Sequence, residues 1–171
     1  MKPSPHISSS LSLQPEMIDY NGHLNMAYYL VLFDKALDEF AADFGFGPTY
    51  IESANATIFT VEVHLRYLHE VRLSDNMVVQ TQLIAHDAKR MHTYSEMLHA
   101  EDGWVAASSE QMFLHIDLAT RTSAPWKPKL LNALNQLSKV HNRLAVPPEV
   151  GRAISMQKPA NGAARLGKAQ M

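Results

Sequence analysis

An α+β fold, with one long helix set against an antiparallel sheet, is predicted by three features of the sequence. A single strong helical period runs through MAYYLVLFDKALDEFAADFG, where Met26, Leu30, Phe33, Leu37, Phe40 and Phe44 recur at alternating steps of four and three. Four runs of strand character then follow in order: TIFTVEVHLRYLHEV, NMVVQTQLIAHD, KRMHTYSEMLHAE and GWVAASSEQMFLHIDL. Only short turn-forming stretches separate them, namely Ser74-Asp75-Asn76, His86 to Lys89 and Asp102-Gly103, which favours antiparallel hairpins.

From the start of the chain, His6 to Met17 alternates loosely through Ile7, Leu11 and Leu13 and predicts a first strand ending near Pro15 to Ile18. The polar stretch DYNGHLN turns the chain into the helix, a rod of about 27 Å at roughly 1.5 Å per residue. Gly45, Gly47 and Pro48 stop it, and a loop is expected through Asn55. In the first long strand Val61, Val63, Leu65 and Tyr67 should share one face and Glu62, His64 and Arg66 the other. After a turn-rich exit over residues 117–128, Leu130, Leu131, Leu134, Leu137 and Val140 predict a short amphipathic helix. The organisation expected is a main domain over residues 1–125 with a C-terminal helical extension and tail over 126–171. The remainder, residues 145–171, is rich in Pro, Gly, Ala and Lys, and much of the last dozen residues is expected to be mobile.

The composition narrows the chemistry. The 171 residues are 46% hydrophobic and 19% charged, enough apolar material for a real core. The formal charge of -2 gives no broad electrostatic reason to bind nucleic acid or an anionic membrane. With no cysteine, disulfides, thiolate nucleophiles and cysteine-ligated zinc are excluded, so a nucleophile must use oxygen or nitrogen. The opening residues lack a signal-peptide core and no run reaches membrane-helix length, so a cytoplasmic location is the default expectation. Nine histidines raise the question of a metal, but there is no HExxH and no tight His/carboxylate cluster, and no metal or cofactor is expected.

The segment from Asp19 to Tyr29, DYNGHLNMAYY, lies between a first strand and the long helix. In that setting it resembles the signature of the 4-hydroxybenzoyl-CoA thioesterase branch of the hotdog superfamily, and the resemblance extends by element order over roughly residues 6 to 118. A narrower likeness runs through MHTYSEMLHAEDGWVAASSEQMFLHIDLATRTSAPW, which is similar to thioesterases of bacterial carnitine breakdown that act on betainyl-CoA. The resemblance implies a hotdog fold, a homodimer with active sites at the interface and room for a tetramer, and an acyl-CoA substrate. It implies that Asp19 is the catalytic carboxylate, acting as nucleophile or as general base for water.

A thioester carbonyl also needs a donor for the charge that develops on its oxygen. The unpaired amides that open a helix are suited to it, which directs attention to Met26, Ala27 and Tyr28 behind an Asn25 N-cap. Gly22 permits a sharp turn and close approach of substrate. His23 can orient the carbonyl, hold water or only brace the loop. Each residue also has a plain structural reading: Asp19 as an Asx-turn, His23 and Asn25 as loop polar groups, Tyr28 and Tyr29 as packing. Glu62, Ser109 and Glu110 are candidates to reach the site across a dimer. Arg66, Lys89, Arg90 and Arg121 are candidates for the CoA phosphates, and Trp104, Tyr94, Tyr50 and Phe113 are aromatics available to a quaternary ammonium. The competing readings are a hotdog hydratase or dehydratase and a non-catalytic acyl-CoA-binding module.

Overall fold

The computed structural model describes residues 3–156. The chain order is β1 (His6–Ile7), β2 (Leu11–Ser12), a 3-10 turn (Pro15–Met17), α1 (Met26–Asp43), α2 (Pro48–Ala54), β3 (Ala56–Tyr67), β4 (Asn76–His86), β5 (Arg90–His99), β6 (Val105–Asp117), β7 (Thr122–Ser123) and α3 (Pro128–His141). One seven-stranded antiparallel sheet has the order β1-β4-β5-β6-β3, with β2 also on β4 and β7 on β6.

α1 crosses the inner face of this sheet and joins two apolar clusters, one at each end. Near its start Tyr29, Leu32, Phe33 and Ala36 pack with Met17, Val71, Met77, Val79 and Met97; near its end Leu37, Phe40, Ala41 and Phe44 pack with Leu83, Met91, Phe113 and Trp126. Each large side chain so buried contributes about 1.5–3 kcal/mol. Between the clusters the inner face is polar, carrying Thr81, Thr93, Ser95, Ser109 and Gln111. The predicted stripe is thus rotated: Phe33, Leu37, Phe40 and Phe44 are buried as expected, but Met26 and Leu30 are exposed, and Tyr29, Leu32 and Ala36 take their places. A spacing of alternating three and four fits either neighbouring stripe, and only the sheet decides between them.

Three further elements differ from expectation. The first strand is two short pieces, because Ser8 bulges between them and its hydroxyl accepts the Val79 amide at 2.9 Å in place of a backbone carbonyl. The loop after α1 contains α2, started by Pro48 after Gly47 and ended by Asn55 in the left-handed region at φ 47°. In β3 the register shifts between Thr60 and Glu62, leaving Val61 as the extra residue of a bulge; the expected alternation of faces holds from Glu62 onward.

α3 belongs to the same core, through Leu130 and Leu134. It is fastened to β4 where the edge has lost its partner: β1 reaches only to Thr81, and the next amide on that edge, Leu83, donates to His141 Nδ1 at 2.8 Å. Beyond α3, the segment around Glu149 and Gly151 lies on the outer face of the sheet. Glu149 meets Arg66 at 2.6 Å and Arg152 at 3.2 Å, while the Gly151 amide donates to both Glu110 oxygens at 2.9 and 3.0 Å. Tyr94 is buried on this face, and burial beside Glu149 raises the Glu96 carboxyl above its ordinary range. The tail expected to be mobile lies outside the described residues, save for its approach.

His141 can accept the Leu83 amide only while Nδ1 is unprotonated, and burial, reinforced by the neighbouring His6, lowers its pKa. Burial likewise lowers that of His115, whose Nε2 accepts from the Tyr50 hydroxyl at 2.7 Å. Both groups therefore contribute stability that is complete above the unfolded histidine value of about 6.5 and is lost as pH falls below it toward the folded values. Urea unfolding should show lower stability at pH 5.5 than at pH 7.5. His141→Leu should cost about 1–3 kcal/mol at pH 7.5, by stranding the Leu83 amide, and should flatten that pH dependence.

Candidate active site

The turn between the 3-10 segment and α1 is a small closed loop. The Asp19 amide donates to the His23 carbonyl at 2.9 Å, the Gly22 amide donates to the Asp19 carbonyl at 3.0 Å, and Ile18 bridges Leu24. Gly22 sits at φ 82°, which a side chain would strain, although a Cβ there would meet nothing within 4 Å. Asp19 Oδ1 accepts the Asn21 amide at 2.8 Å, so the Asx-turn is present. That bond uses one carboxylate oxygen. Among the described residues the other has no hydrogen-bond partner, and Asp19 lines a cleft of about 1220 Å³.

Two longer bonds tie this loop to the body of the protein. Leu24 donates to the Val71 carbonyl at 2.8 Å and Asn25 donates to the Met17 carbonyl at 2.9 Å. Asn25 is the N-cap of α1: its side chain accepts the Ala27 amide at 3.0 Å, and its carbonyl accepts from Tyr28 at 2.9 Å. Of the three amides considered for the carbonyl oxygen, Ala27 and Tyr28 are therefore used by the cap. The Met26 amide alone makes no hydrogen bond to any described residue. It stands where the helix dipole is most positive.

The cleft collects Asp19, His23 and Met26 with residues from the far end of β3 and its exit, Tyr67, Leu68, His69, Glu70 and Arg72, and with Trp104. Gly22, Asn25, Ala27 and Tyr28 are not on its wall; Ala27 instead borders a smaller hollow of about 300 Å³ with Leu30, Val31 and Val63, and Tyr28 packs against the core. His23 Nε2 lies 3.2 Å from Glu70 Oε2. His69 donates through Nδ1 to the Val105 carbonyl at 2.8 Å, which leaves Nε2 as its second functional nitrogen. Tyr29 is almost fully buried and donates its hydroxyl to the His69 carbonyl at 3.1 Å; burial first, then the Glu70 and Asp19 carboxylates, push its pKa up to about 12.

The other sequence candidates lie elsewhere. Arg66 is paired with Glu149, Arg90 with Asp87, and Arg121 lies 5.3 Å over the Phe59 ring, whereas Arg72 borders the cleft and makes no ion pair with a described residue. Of the four aromatics considered only Trp104 reaches the cleft; Phe113 is core, Tyr50 bonds His115 and Tyr94 is under the C-terminal segment. Ser109 is buried on the inner face and Glu110 is occupied by Gly151 and His92. Among the described residues no three His, Cys, Asp or Glu side chains are grouped to hold a metal.

Residues 13–134 match the thioesterase-like superfamily, which is most of the sheet and all of α1. The chain belongs to that family. It is similar to the betainyl-CoA thioesterase of Pseudomonas aeruginosa PAO1, at 39% identity over 142 residues that cover 83% of this chain and 89% of the relative. It is also 32% identical over 141 residues to an L-carnitine dehydrogenase/betainyl-CoA thioesterase of Rhizobium meliloti; the match covers 82% of this chain and only 28% of that longer protein. Among solved structures, a Staphylococcus aureus protein in complex with CoA superposes with a TM-score of 0.84 at 26% identity, covering 92% of this chain and 98% of the other. A candidate thioesterase of Pseudomonas putida KT2440 gives 0.76 at 36% identity, covering 90% and 98%. The fold is the hotdog fold and the protein is an acyl-CoA thioesterase.

Sequence reading of this thioesterase missed Tyr67 as a site residue and also His69, Glu70 and Arg72. A signal was present: the alternation of β3 ends at YLHEVR, where the polar residues His69 and Glu70 fall side by side, as at a strand end that faces a cavity. Replacing Asn25 with Ala removes the cap and should lower stability by about 1 kcal/mol. Because it also releases the start of α1, turnover at a fixed temperature well below unfolding should fall as well, a comparison that paired melting curves and initial rates will make.

Proposed function

We propose that this thioesterase hydrolyses betainyl-CoA, with Asp19 as the acting carboxylate and the Met26 amide as donor to the carbonyl oxygen. The observation that supports the reading is that Asp19 and Met26, whose amide has no hydrogen-bond partner among the described residues, both line a single cleft. The attacking oxygen is that of Asp19 itself or of a water it deprotonates. As it bonds to the thioester carbon, negative charge moves onto the carbonyl oxygen and toward the Met26 N–H; the carbon–sulfur bond then breaks and CoA leaves as the thiolate, after which water hydrolyses the Asp19 anhydride on the first route, or the proton held by Asp19 passes to the thiolate on the second. His23 and Asn25 position this machinery, His23 through Glu70 and Asn25 by fixing the helix start, and Arg72 is the side chain suited to the CoA phosphates. The 39% identity to a betainyl-CoA thioesterase supports the choice of acyl group.

The functional unit we infer is a pair of identical chains. β3 is twelve residues long and, among the described residues, pairs on one side only, with β6. Beside it Met26, Leu30 and Val31 of α1 and Val61 and Val63 of β3 are exposed. An unpaired edge next to an apolar patch is satisfied by a second copy of itself about a two-fold axis. Light scattering should return twice the 19.1 kDa chain mass, and Val63→Asp should reduce it toward one.

Because the chain contains no cysteine, a thiol reagent will report released CoA without background from the enzyme. Across short, aromatic, long-chain and trimethylammonium acyl-CoAs, the highest kcat/KM is expected for betainyl-CoA. Asp19→Asn should lower kcat by at least about a hundredfold while the protein still melts cooperatively. Full turnover in that variant would remove Asp19 from the mechanism.

A further inference from the structure

The acyl group of betainyl-CoA is short, and its quaternary nitrogen stands two bonds from the thioester carbon. A group that receives this nitrogen must therefore border the Met26 amide itself. The place is unfavourable for a cation, because the start of a helix carries about half a positive charge. Compensation has to come from a carboxylate or an aromatic face within reach.

Two side chains meet that requirement. The Tyr67 hydroxyl donates to the Met26 carbonyl at 3.1 Å, which holds its ring beside the first turn of α1. The ring is also braced edge-on by Tyr29, at 5.1 Å and 84°, yet Tyr67 remains 46% exposed. Glu70, three residues further, lines the same cleft with a side chain that is 66% exposed and has His23 as its ion-pair neighbour. Tyr67, Glu70 and Asp19 line that cleft together with the buried Tyr29, on which the Tyr67 ring packs. Trp104 is less well placed, since its ring is stacked by His99 at 5.0 Å and flanked by His69 at 5.5 Å.

We propose that Tyr67 and Glu70 form the seat for the substrate's quaternary ammonium, the ring receiving its methyl groups and the carboxylate balancing its charge. This assignment rests on the betainyl-CoA reading above. It separates two duties among the carboxylates: Asp19 serves the carbonyl carbon, and Glu70 selects a cationic acyl group. A neutral acyl group of the same shape draws no charge attraction from Glu70, whose hold on His23 serves both kinds of substrate alike.

The test compares kcat/KM of the full chain for betainyl-CoA and for 3,3-dimethylbutanoyl-CoA, in which carbon replaces nitrogen and the charge disappears. Wild type should favour the cationic ester. Glu70→Gln and Tyr67→Leu should each reduce that preference about tenfold, whereas Tyr67→Phe, which keeps the ring, should retain it. Glu70→Gln decides the matter even if Tyr67→Leu does not fold, because its side chain is exposed. A wild-type preference that survives intact in Glu70→Gln overturns the assignment while leaving the substrate reading standing. A wild type with no preference for the cationic ester removes the substrate reading, and this assignment with it.

Discussion

The start of α1 is fixed by hydrogen bonds from three separate parts of the chain: Met17 before the loop, Val71 after β3, and the cap that Asn25 makes to its own helix. The chemistry proposed for the molecule is referred to that point. The cap spends two amides of the first turn and leaves one, so the helix presents a single N–H where an open terminus would present several. The same loop holds one oxygen of Asp19 and leaves the other without a hydrogen-bond partner among the described residues, in a side chain that lines the cleft. Local backbone satisfaction thereby fixes which atoms remain available for reaction.

Rigidity at that point has to come from the sheet, since a seven-residue polar turn has little of its own. Two apolar clusters clamp α1 at its two ends, and the inner face between them is lined by short polar side chains. Tyr29 joins the site to this scaffold: its ring is part of the first cluster and its hydroxyl reaches the carbonyl of His69 on the cleft wall. Burial beside two carboxylates keeps that phenol protonated, so it acts as a fixed donor in the floor of the site.

How much of this could be read from sequence follows the range of the interactions involved. α1 and the four long strands were legible because their signals are local periodicities, and the resemblance of DYNGHLN to a known family placed Asp19 and Asn25 at the helix start. The rotation of the helix stripe was not legible, because Leu30 and Tyr29 are equally good apolar residues and only the sheet's position buries one of them. Nor was the fate of each amide at the cap, which depends on a side-chain rotamer of Asn25. The far wall of the cleft comes from residues 67–72 and 104, about fifty and eighty-five positions away in sequence, and no local pattern connects these to Asp19. α2 was missed because seven residues are too few to establish a period.

The segment that follows α3 bears on assembly in a different way. Glu149 and Gly151 are bonded to Arg66 and Glu110, so the convex side of β3, β5 and β6 is already roofed by the chain's own residues. Two such sheets cannot be laid back to back over that region while the roof is in place. Growth beyond the proposed pair of subunits would therefore have to proceed through other surfaces or cover this roof as well.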